Sequence, residues 1–157
     1  MSKRIIRKKR NQMQIFVDAD ACPVKEIIVR VARENNLPVT MIIDSSHELR
    51  DNYSTIITVE KAKDNVDLVL INRVKSGDVV VTQDYGLAAL VLGKSAKALN
   101  QNGLVFSNDN IDRLLMERHI GQKIRRGGGR TKGPNKRTCE DDERFAKAFR
   151  EIVKRSD

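Results

Sequence analysis

Short apolar runs alternate with stretches of helical periodicity along the first 120 residues of the chain. The runs IFVD at 15–18, VTMIID at 39–44, TIITV at 55–59 and DVVVTQD at 78–84 are rich in β-branched residues and predict strands. A further run, GLVF at 103–106, is predicted as the last strand. Such continuous apolar runs are typical of strands buried on both faces of a parallel sheet.

Amphipathic segments separate these strands and predict helices. The first helix is predicted to begin at Pro23, because a first-turn proline loses no hydrogen bond there. The predicted helices run from Pro23 to Asn35, from Asp64 to Ser76, over GLAALVLG at 86–93, and from Ser107–Asp109 through His119. This alternation indicates an α/β fold with a mainly parallel central sheet, doubly wound or related to that type.

The character of the chain changes at Gly121. The segment 121–138 is rich in glycine and cations and contains no carboxylate, so we expect it to be mobile in the free protein. The last residues carry an apolar stripe that predicts a helix docked on the core or on a second subunit of a homodimer. The expected organisation is a basic arm at 1–13, an α/β domain at 14–120, the basic segment at 121–138 and a C-terminal helix at 139–157.

Composition narrows the class of protein. The chain has 157 residues, enough for one hydrophobic core, and only 4% of them are aromatic, so this core must be aliphatic. A formal net charge of +9 predicts attraction to polyanions, of which nucleic acid is the obvious candidate. The two cysteines have no disulfide-scaffold spacing, and no apolar run is long enough to span a membrane. We therefore expect a cytoplasmic protein that does not associate with membranes.

Aspartates stand where strands end and a helix begins. Asp18 and Asp20 close the first strand, Asp84 closes the fourth, and Asp64 and Asp67 lie at the start of the helix between the third and fourth strands. In an open parallel sheet, ligands collect at the carboxyl ends of the strands where the strand order reverses. Carboxylates gathered there repel one another, and a hard divalent cation relieves this repulsion. The pattern predicts a Mg²⁺ or Mn²⁺ site of the kind a nuclease uses.

Helix capping is the competing interpretation of these aspartates. Asp20, Asp64 and Asp84 each stand where a carboxylate could accept a free N–H of the following helix, which is a common role for aspartate. Asp18 is harder to explain in this way, because it continues the first strand directly and lies too early to cap the helix.

Two cationic clusters occur near the ends of the chain. Contact with a nucleic-acid backbone, without recognition of sequence, is the function they favour over simple solubility, since few aromatics are available for base stacking. The first cluster is Lys3, Arg4, Arg7, Lys8, Lys9 and Arg10. The second is Lys123, Arg125, Arg126, Arg130, Lys132, Lys136 and Arg137.

Several motifs together resemble one protein family. The motifs that carry the resemblance are FVDADACPVKE, DNVD, GDVVVTQDYGLAALVL, SNDNIDRLL, GGGRTKGP and DDERF. Through them the chain resembles the uncharacterised bacterial YaiI/YqxD family, which is grouped with PIN-like nuclease domains. The resemblance covers nearly the whole chain from Gln14. It implies a PIN-like three-layer α/β sandwich with an acidic site for Mg²⁺ or Mn²⁺. Together with the acidic strand ends and the cationic clusters, this leads us to predict a metal-dependent nuclease that acts on RNA rather than DNA.

By position in the family motifs, the resemblance implies roles for particular carboxylates. Asp18, Asp67 and Asp84 would be the catalytic metal ligands, with Asp64 beside Asp67 and Asp20 as supplementary ligands. PIN nucleases often carry a further acidic residue after the fourth strand, and Tyr85-Gly86-Leu87 offers none. Asp109 and Asp112 are the candidates to replace it.

Two other functions remain open from the sequence. A haloacid-dehalogenase-like phosphohydrolase would use Asp18 as nucleophile, Asp20 as acid/base and the Thr82 hydroxyl on phosphate, although a flap after the first strand is missing. A non-catalytic RNA- or DNA-binding protein with a PIN-like fold would need only the cationic clusters. Cys22, flanked by carboxylates, is expected to be a small buried packing residue rather than a reactive thiol.

Overall fold

The structure is a computed structural model that describes residues 12–44, 50–60, 65–130 and 136–154. Three predicted features lie outside these ranges: the cationic cluster of the N-terminal arm, the candidate metal ligand Asp64 and the candidate nucleic-acid contact Lys132.

A parallel sheet forms the centre of the molecule. Its strands are β1 (Ile15–Asp18), β2 (Val39–Asp44), β3 (Thr55–Val59), β4 (Val79–Val81) and β5 (Lys97–Leu99). They lie in the order β3-β2-β1-β4-β5, and every neighbouring pair is parallel. Helices cover both faces, which confirms the predicted α/β fold and is consistent with a PIN-like three-layer sandwich.

The last strand differs from the prediction. The run 103–106 is not a strand of the sheet, because Lys97–Leu99 occupies that position beside β4. Residues 103–106 instead turn back antiparallel, with one bridge between Leu99 and Val105 and a hydrogen bond of 2.9 Å from Phe106 N to Ala98 O. Lysine and alanine have weak strand propensity, so only the tertiary pairing with β4 identifies this segment as a strand.

Within the described residues there are five helices: α1 (Lys25–Glu34), α2 (Val66–Arg73), α3 (Tyr85–Gly93), α4 (Ile111–Arg126) and α5 (Cys139–Lys154). Helix α4 extends further than expected and includes the first six residues of the segment predicted to be mobile. Those residues, GQKIRR, contain a single glycine, and the helix ends only at the glycine run that starts with Gly127. His119 therefore lies within the helix and not near its end.

The two faces of the sheet pack against different helices. Ile15 and Val17 of β1 point into a core with α1 and α5, whereas Phe16 points to the opposite face and packs with α2, α3 and α4. Phe145 and Phe149 of α5 are fully buried and stacked, with ring centroids 5.3 Å apart. Each buried ring contributes about 2–3 kcal/mol of hydrophobic stabilisation, so α5 is an integral part of the first core.

Strand order fixes where ligands can approach. Strand β1 lies between β2 and β4, and the order reverses at β1. We call the edge at which all the strands end the carboxyl edge, and the opposite edge the amino edge. The crevice between the ends of β1 and β4 at the carboxyl edge is the expected binding position in such a sheet. Among the described residues, no helix is long and apolar enough to cross a membrane.

Candidate active site

A threonine hydroxyl joins the ends of the two central strands. Asp18 is the last residue of β1, and Thr82 directly follows β4. The Thr82 hydroxyl donates a hydrogen bond of 3.0 Å to Asp18 Oδ2 and accepts one of 3.0 Å from the backbone N–H of Asp84. Thr82 is 1% exposed, so this link is protected from water. The arrangement holds Asp18 and Asp84 at the same crevice.

Asp84 caps a helix and also belongs to this crevice. Its Oδ1 accepts the Leu87 N–H at 3.1 Å, so the capping interpretation is correct for this residue. The same Oδ1 lies 3.5 Å from Nη1 of Arg118, which reaches across from α4. One carboxylate therefore meets both a helix N-terminus and a guanidinium.

Asp67 faces Asp84 from the first turn of α2. Asn65, and not a carboxylate, caps this helix through a hydrogen bond of 2.8 Å from the Asp67 N–H to its side chain. The Asp67 side chain is thus not needed as a cap. Partial burial raises the pKa of Asp67 to about 6, and the Asp84 charge, a hydrogen bond from protonated Asp67 to Asp84, and the Asp18 charge all act in the same direction.

Asp18 experiences the same kind of repulsion. Burial raises the pKa of Asp18, the hydrogen bond from Thr82 partly opposes this, and the charges of Asp20 and Asp84 raise it further. Arg118 works in the opposite sense and lowers the pKa of Asp67. Carboxylates from β1, α2 and the start of α3 thus crowd together with one guanidinium beside them.

Asp20 lies in the turn between β1 and α1. Its Oδ2 accepts the Asp44 N–H at 3.2 Å, which ties the ends of β1 and β2 together. Helix α1 follows Val24 and has no side-chain cap, so the capping interpretation is wrong for Asp20. Ala21 in the same turn has a φ of +57°, a left-handed conformation that costs a residue with a Cβ about 1 kcal/mol. The strained turn fixes where Asp20 points.

Residues of the crevice also line a small cavity of about 40 Å³. It is lined by Asp18, Asp20, Cys22, Val81, Thr82, Gln83 and Gln101. Burial raises the pKa of the Cys22 thiol, so the predicted role of Cys22 as an unreactive packing residue agrees with its environment. The Thr82 hydroxyl is engaged on both sides, which leaves it poorly suited to bind the phosphate of a dehalogenase-type substrate.

The structure brings Asp18, Asp20, Asp67 and Asp84 to one edge, while Asp64 lies outside the described residues. Across the residues that are described, no three acidic, histidine or cysteine side chains already stand in a metal-binding group. Asp109 and Asp112 are exposed, with Asp112 in the first turn of α4. Sequence reasoning missed Arg118, because its partner Asp84 is far away in sequence and only the packing of α4 brings the two together.

The predicted nucleic-acid contacts divide into two groups. Lys123, Arg125 and Arg126 are exposed in the last turn of α4, and Arg130 and Lys136 are also exposed. The guanidinium of Arg137 is instead engaged within the chain. It donates hydrogen bonds of 2.7 Å to Asp142 Oδ1, Asn102 Oδ1 and Gln101 O, and so anchors the start of α5 beside the turn that follows β5.

Comparison with known proteins places the chain in a family. Residues 16–155 match the family described as "Uncharacterized BCR, YaiI/YqxD family". A UPF0178 protein of Ruminiclostridium cellulolyticum is 65% identical over 142 residues, covering 90% of this chain and 93% of that protein. One from Clostridium acetobutylicum is 55% identical over 145 residues, covering 91% and 98%. No solved structure matches the chain. The sequence, with the fold it adopts, thus belongs to the YaiI/YqxD family.

Proposed function

We propose that this protein is a Mg²⁺- or Mn²⁺-dependent nuclease that hydrolyses phosphodiester bonds of RNA at the carboxyl edge, with Asp18, Asp67 and Asp84 as the catalytic metal ligands. The observation that carries the proposal is the position of Asp67, whose pKa is raised to about 6 beside Asp84 and Asp18. Carboxylates that oppose one another in a crevice weaken the fold, and such perturbed groups are most common at functional sites.

The chemistry of the donors fits a hard divalent cation. The crevice offers carboxylate oxygens, whereas the nearby thiol of Cys22 is buried and has a raised pKa, so Mg²⁺ or Mn²⁺ suits the site better than Zn²⁺. Asp20 and Asp64 are supplementary ligands in this proposal. When bound, the cation would supply a bound water of lowered pKa and neutralise charge on the phosphodiester.

The chain's own residues would orient the ligands and the substrate. The Thr82 hydroxyl fixes one oxygen of Asp18, leaving the other as the donor. The guanidinium of Arg118 stands beside Asp84 with 48% of its side chain exposed, so it is accessible to an incoming phosphate. Held there by Asp84, it would bind the scissile phosphate and stabilise charge that develops on it.

Cations on α4 extend this surface away from the crevice. Helix α4 carries Arg118 at the site and Arg126 at its end, roughly 12 Å further along. In this proposal the nucleic-acid backbone would be contacted by Lys123, Arg125, Arg126, Arg130, Lys132 and Lys136. Arg137 would act indirectly, by anchoring α5. Contacts of this kind position a strand without reading its sequence.

The test is cleavage of end-labelled single-stranded RNA, structured RNA and single-stranded DNA with Mn²⁺, with Mg²⁺ and with EDTA. We expect the wild type to cleave RNA only with metal. Asp18→Asn should reduce cleavage by about 100-fold or more, on the scale of losing one group that stabilises transition-state charge. Glu151→Gln, on the exposed side of α5, removes the same charge far from the crevice and should cleave like the wild type.

Two other results would each replace the proposal. If neither the wild type nor Asp18→Asn cleaves RNA, and both bind it with an affinity that falls with salt, the protein is a binding module with a nuclease-like fold. If p-nitrophenyl phosphate is hydrolysed and no oligonucleotide is cut, the phosphohydrolase alternative applies.

A further inference from the structure

A second surface, separate from the cations of α4, has the charge to bind phosphate. A groove of about 440 Å³ runs between α1 and the segment that leads into β3. Its lining residues are Lys25, Glu26, Val29, Arg30, Arg33, Arg50 and Asp51. Four cations and two carboxylates thus face one groove, and the only apolar residue among them is Val29.

The two carboxylates have structural tasks. Asp51 accepts hydrogen bonds from the backbone N–H groups of Tyr53 and Ser54 at 2.7 and 2.5 Å. Burial alone would raise the pKa of Asp51, but these hydrogen bonds, with the Arg33 charge, lower it overall. Glu26 lies in the first turn of α1, where its charge is favourable to the helix dipole. With four cations and two carboxylates among its described lining residues, the groove carries a net charge of +2.

One of the cations is held in position before any ligand arrives. The Arg33 guanidinium lies 5.2 Å from the centre of the Tyr53 ring. The Tyr53 hydroxyl in turn donates to the carbonyl of Leu37, just beyond the end of α1, and lies 3.4 Å from the carbonyl of Ala32 within the helix. An arginine fixed in this way loses little side-chain entropy when it binds an anion.

The groove begins beside the candidate active site. Helix α1 runs antiparallel to the strands, so its first residue lies at the carboxyl edge and its last at the amino edge. Lys25 marks the near end, because its Nζ donates to the carbonyl of Ala19, between Asp18 and Asp20. Arg33 marks the far end, roughly 12 Å along the helix. The cations therefore form a track that leads away from the carboxylates.

We infer that this groove binds the phosphodiester backbone of a single nucleic-acid strand that extends from the crevice. The inference rests on the proposed function for the direction of the strand, but the binding itself needs no catalysis. The described lining residues include four cations and no aromatic side chain, which suits phosphates better than bases. An acidic protein partner is less well matched, because Val29 is the one apolar residue among the described lining residues, whereas aromatic and other large anchors dominate protein interfaces.

The test measures binding without cleavage. A fluorescein-labelled oligouridylate of twelve nucleotides is titrated with full-length protein in EDTA, and anisotropy is followed over a range of salt concentrations. The groove variant is Arg30→Gln with Arg50→Gln, which leaves Arg33 on Tyr53. The control is Lys147→Gln with Arg150→Gln, which removes the same charge from exposed positions on α5.

We expect the groove variant to bind about 10-fold more weakly near 0.1 M salt, and the slope of log K against log salt to become shallower by about 1.4, as for two lost phosphate contacts on a single strand. The control should keep the wild-type slope. Equal effects of the two variants, or none from the groove variant, would overturn the inference. So would displacement of the labelled oligouridylate by polyglutamate at lower concentrations than by unlabelled oligouridylate of equal charge, which would indicate an acidic protein as the ligand.

Failure of the groove and failure of the nuclease proposal give different results. If the wild type cleaves RNA and the groove variant binds and cleaves equally well, the groove inference is wrong and the nuclease proposal stands. If the wild type does not cleave RNA but its binding depends on Arg30 and Arg50, the nuclease proposal is wrong and the groove inference stands.

Discussion

The two edges of the sheet both carry buried or partly buried aspartates, but in opposite surroundings. At the amino edge, Asp78 is 5% exposed and accepts the Gln14 N–H at 3.0 Å and the Lys75 N–H at 2.8 Å. At the carboxyl edge, Asp18 accepts a hydrogen bond from the Thr82 hydroxyl and faces the charges of Asp20 and Asp84. Backbone donors surround the first carboxylate, and other carboxylates surround the second.

This difference separates a structural role from a functional one. Buried carboxylates are stabilising when fixed N–H donors satisfy both oxygens, and Asp78 joins the start of β1 to the turn before β4 in this way. At the other edge, burial and neighbouring carboxylate charges raise the pKa of Asp67 and of Asp18, so ionising these groups opposes folding. Groups that reduce stability and make no compensating structural contact are expected at a binding or catalytic site.

The largest expected effect is on stability at the amino edge. Asp78→Ala leaves two partly buried N–H groups, those of Gln14 and Lys75, without an acceptor. This should lower the free energy of unfolding by about 3 kcal/mol and the melting temperature by roughly 6–12 °C. Asp18→Ala is the matched change at the carboxyl edge. It should cost less, because one side-chain hydroxyl and no backbone N–H loses its acceptor, and repulsion among the carboxylates is relieved.

Thermal unfolding of the two variants, followed by circular dichroism in EDTA, measures this difference. Equal losses in both would mean that the two edges do not differ as described. A larger loss of stability for Asp18→Ala than for Asp78→Ala would mean that Asp18, and not Asp78, has the structural role.

The sequence alone could not distinguish Asp78 from Asp84. Both flank the same run, DVVVTQD, and nothing local marks one as structural. One of the two donors to Asp78 belongs to Gln14, which is distant along the chain and is brought close only by the pairing of β1 with β4. Alternation of apolar strands and helices was sufficient to predict the fold class, because burial of both sheet faces dictates that pattern.

Gathering of carboxylates at the carboxyl edge was predictable in the same way, since parallel strands end at one edge. The details were not. Strand β5 has weak intrinsic propensity, and the position of Arg118 beside Asp84 depends on how α4 packs. Whether Asp20 caps α1 or binds the end of β2 was decided by a left-handed Ala21, which no sequence rule favours.

A second, smaller effect concerns pH at the carboxyl edge. The folded-state pKa of Asp67 is about 6, above the value of 3.8 for the free side chain, because of burial and repulsion from Asp84 and Asp18. Between these values the folded state binds more protons than the unfolded state, so stability falls as pH rises from about 4 to 6. Above pH 6 the full cost is present, and below about pH 4 it is absent.

Asp67→Asn should therefore raise the melting temperature at pH 7.5 by roughly 2–3 °C, reduced from the full effect because water screens a partly exposed group. The gain should shrink towards zero at pH 4. Asp112→Asn, on the exposed first turn of α4, should give no gain at either pH, since its charge is favourable there. A gain from Asp67→Asn that is equal at both pH values would show that repulsion is not the cause.

The smallest expected effect is backbone strain in the turn that carries Asp20. Ala21 has a φ of +57°, where glycine is relaxed and alanine is not. Relief of about 1 kcal/mol of strain, partly offset by the greater freedom of glycine in the unfolded chain, should make Ala21→Gly more stable by about 0.5 kcal/mol. Ala89→Gly in the middle of α3 is the same chemical change at a helical position and should destabilise by up to about 1 kcal/mol. Urea unfolding of both variants measures the two signs directly. Destabilisation by both would mean that the turn is not strained, and that the hydrogen bond from Asp44 to Asp20, more than the backbone of Ala21, holds this part of the carboxyl edge in place.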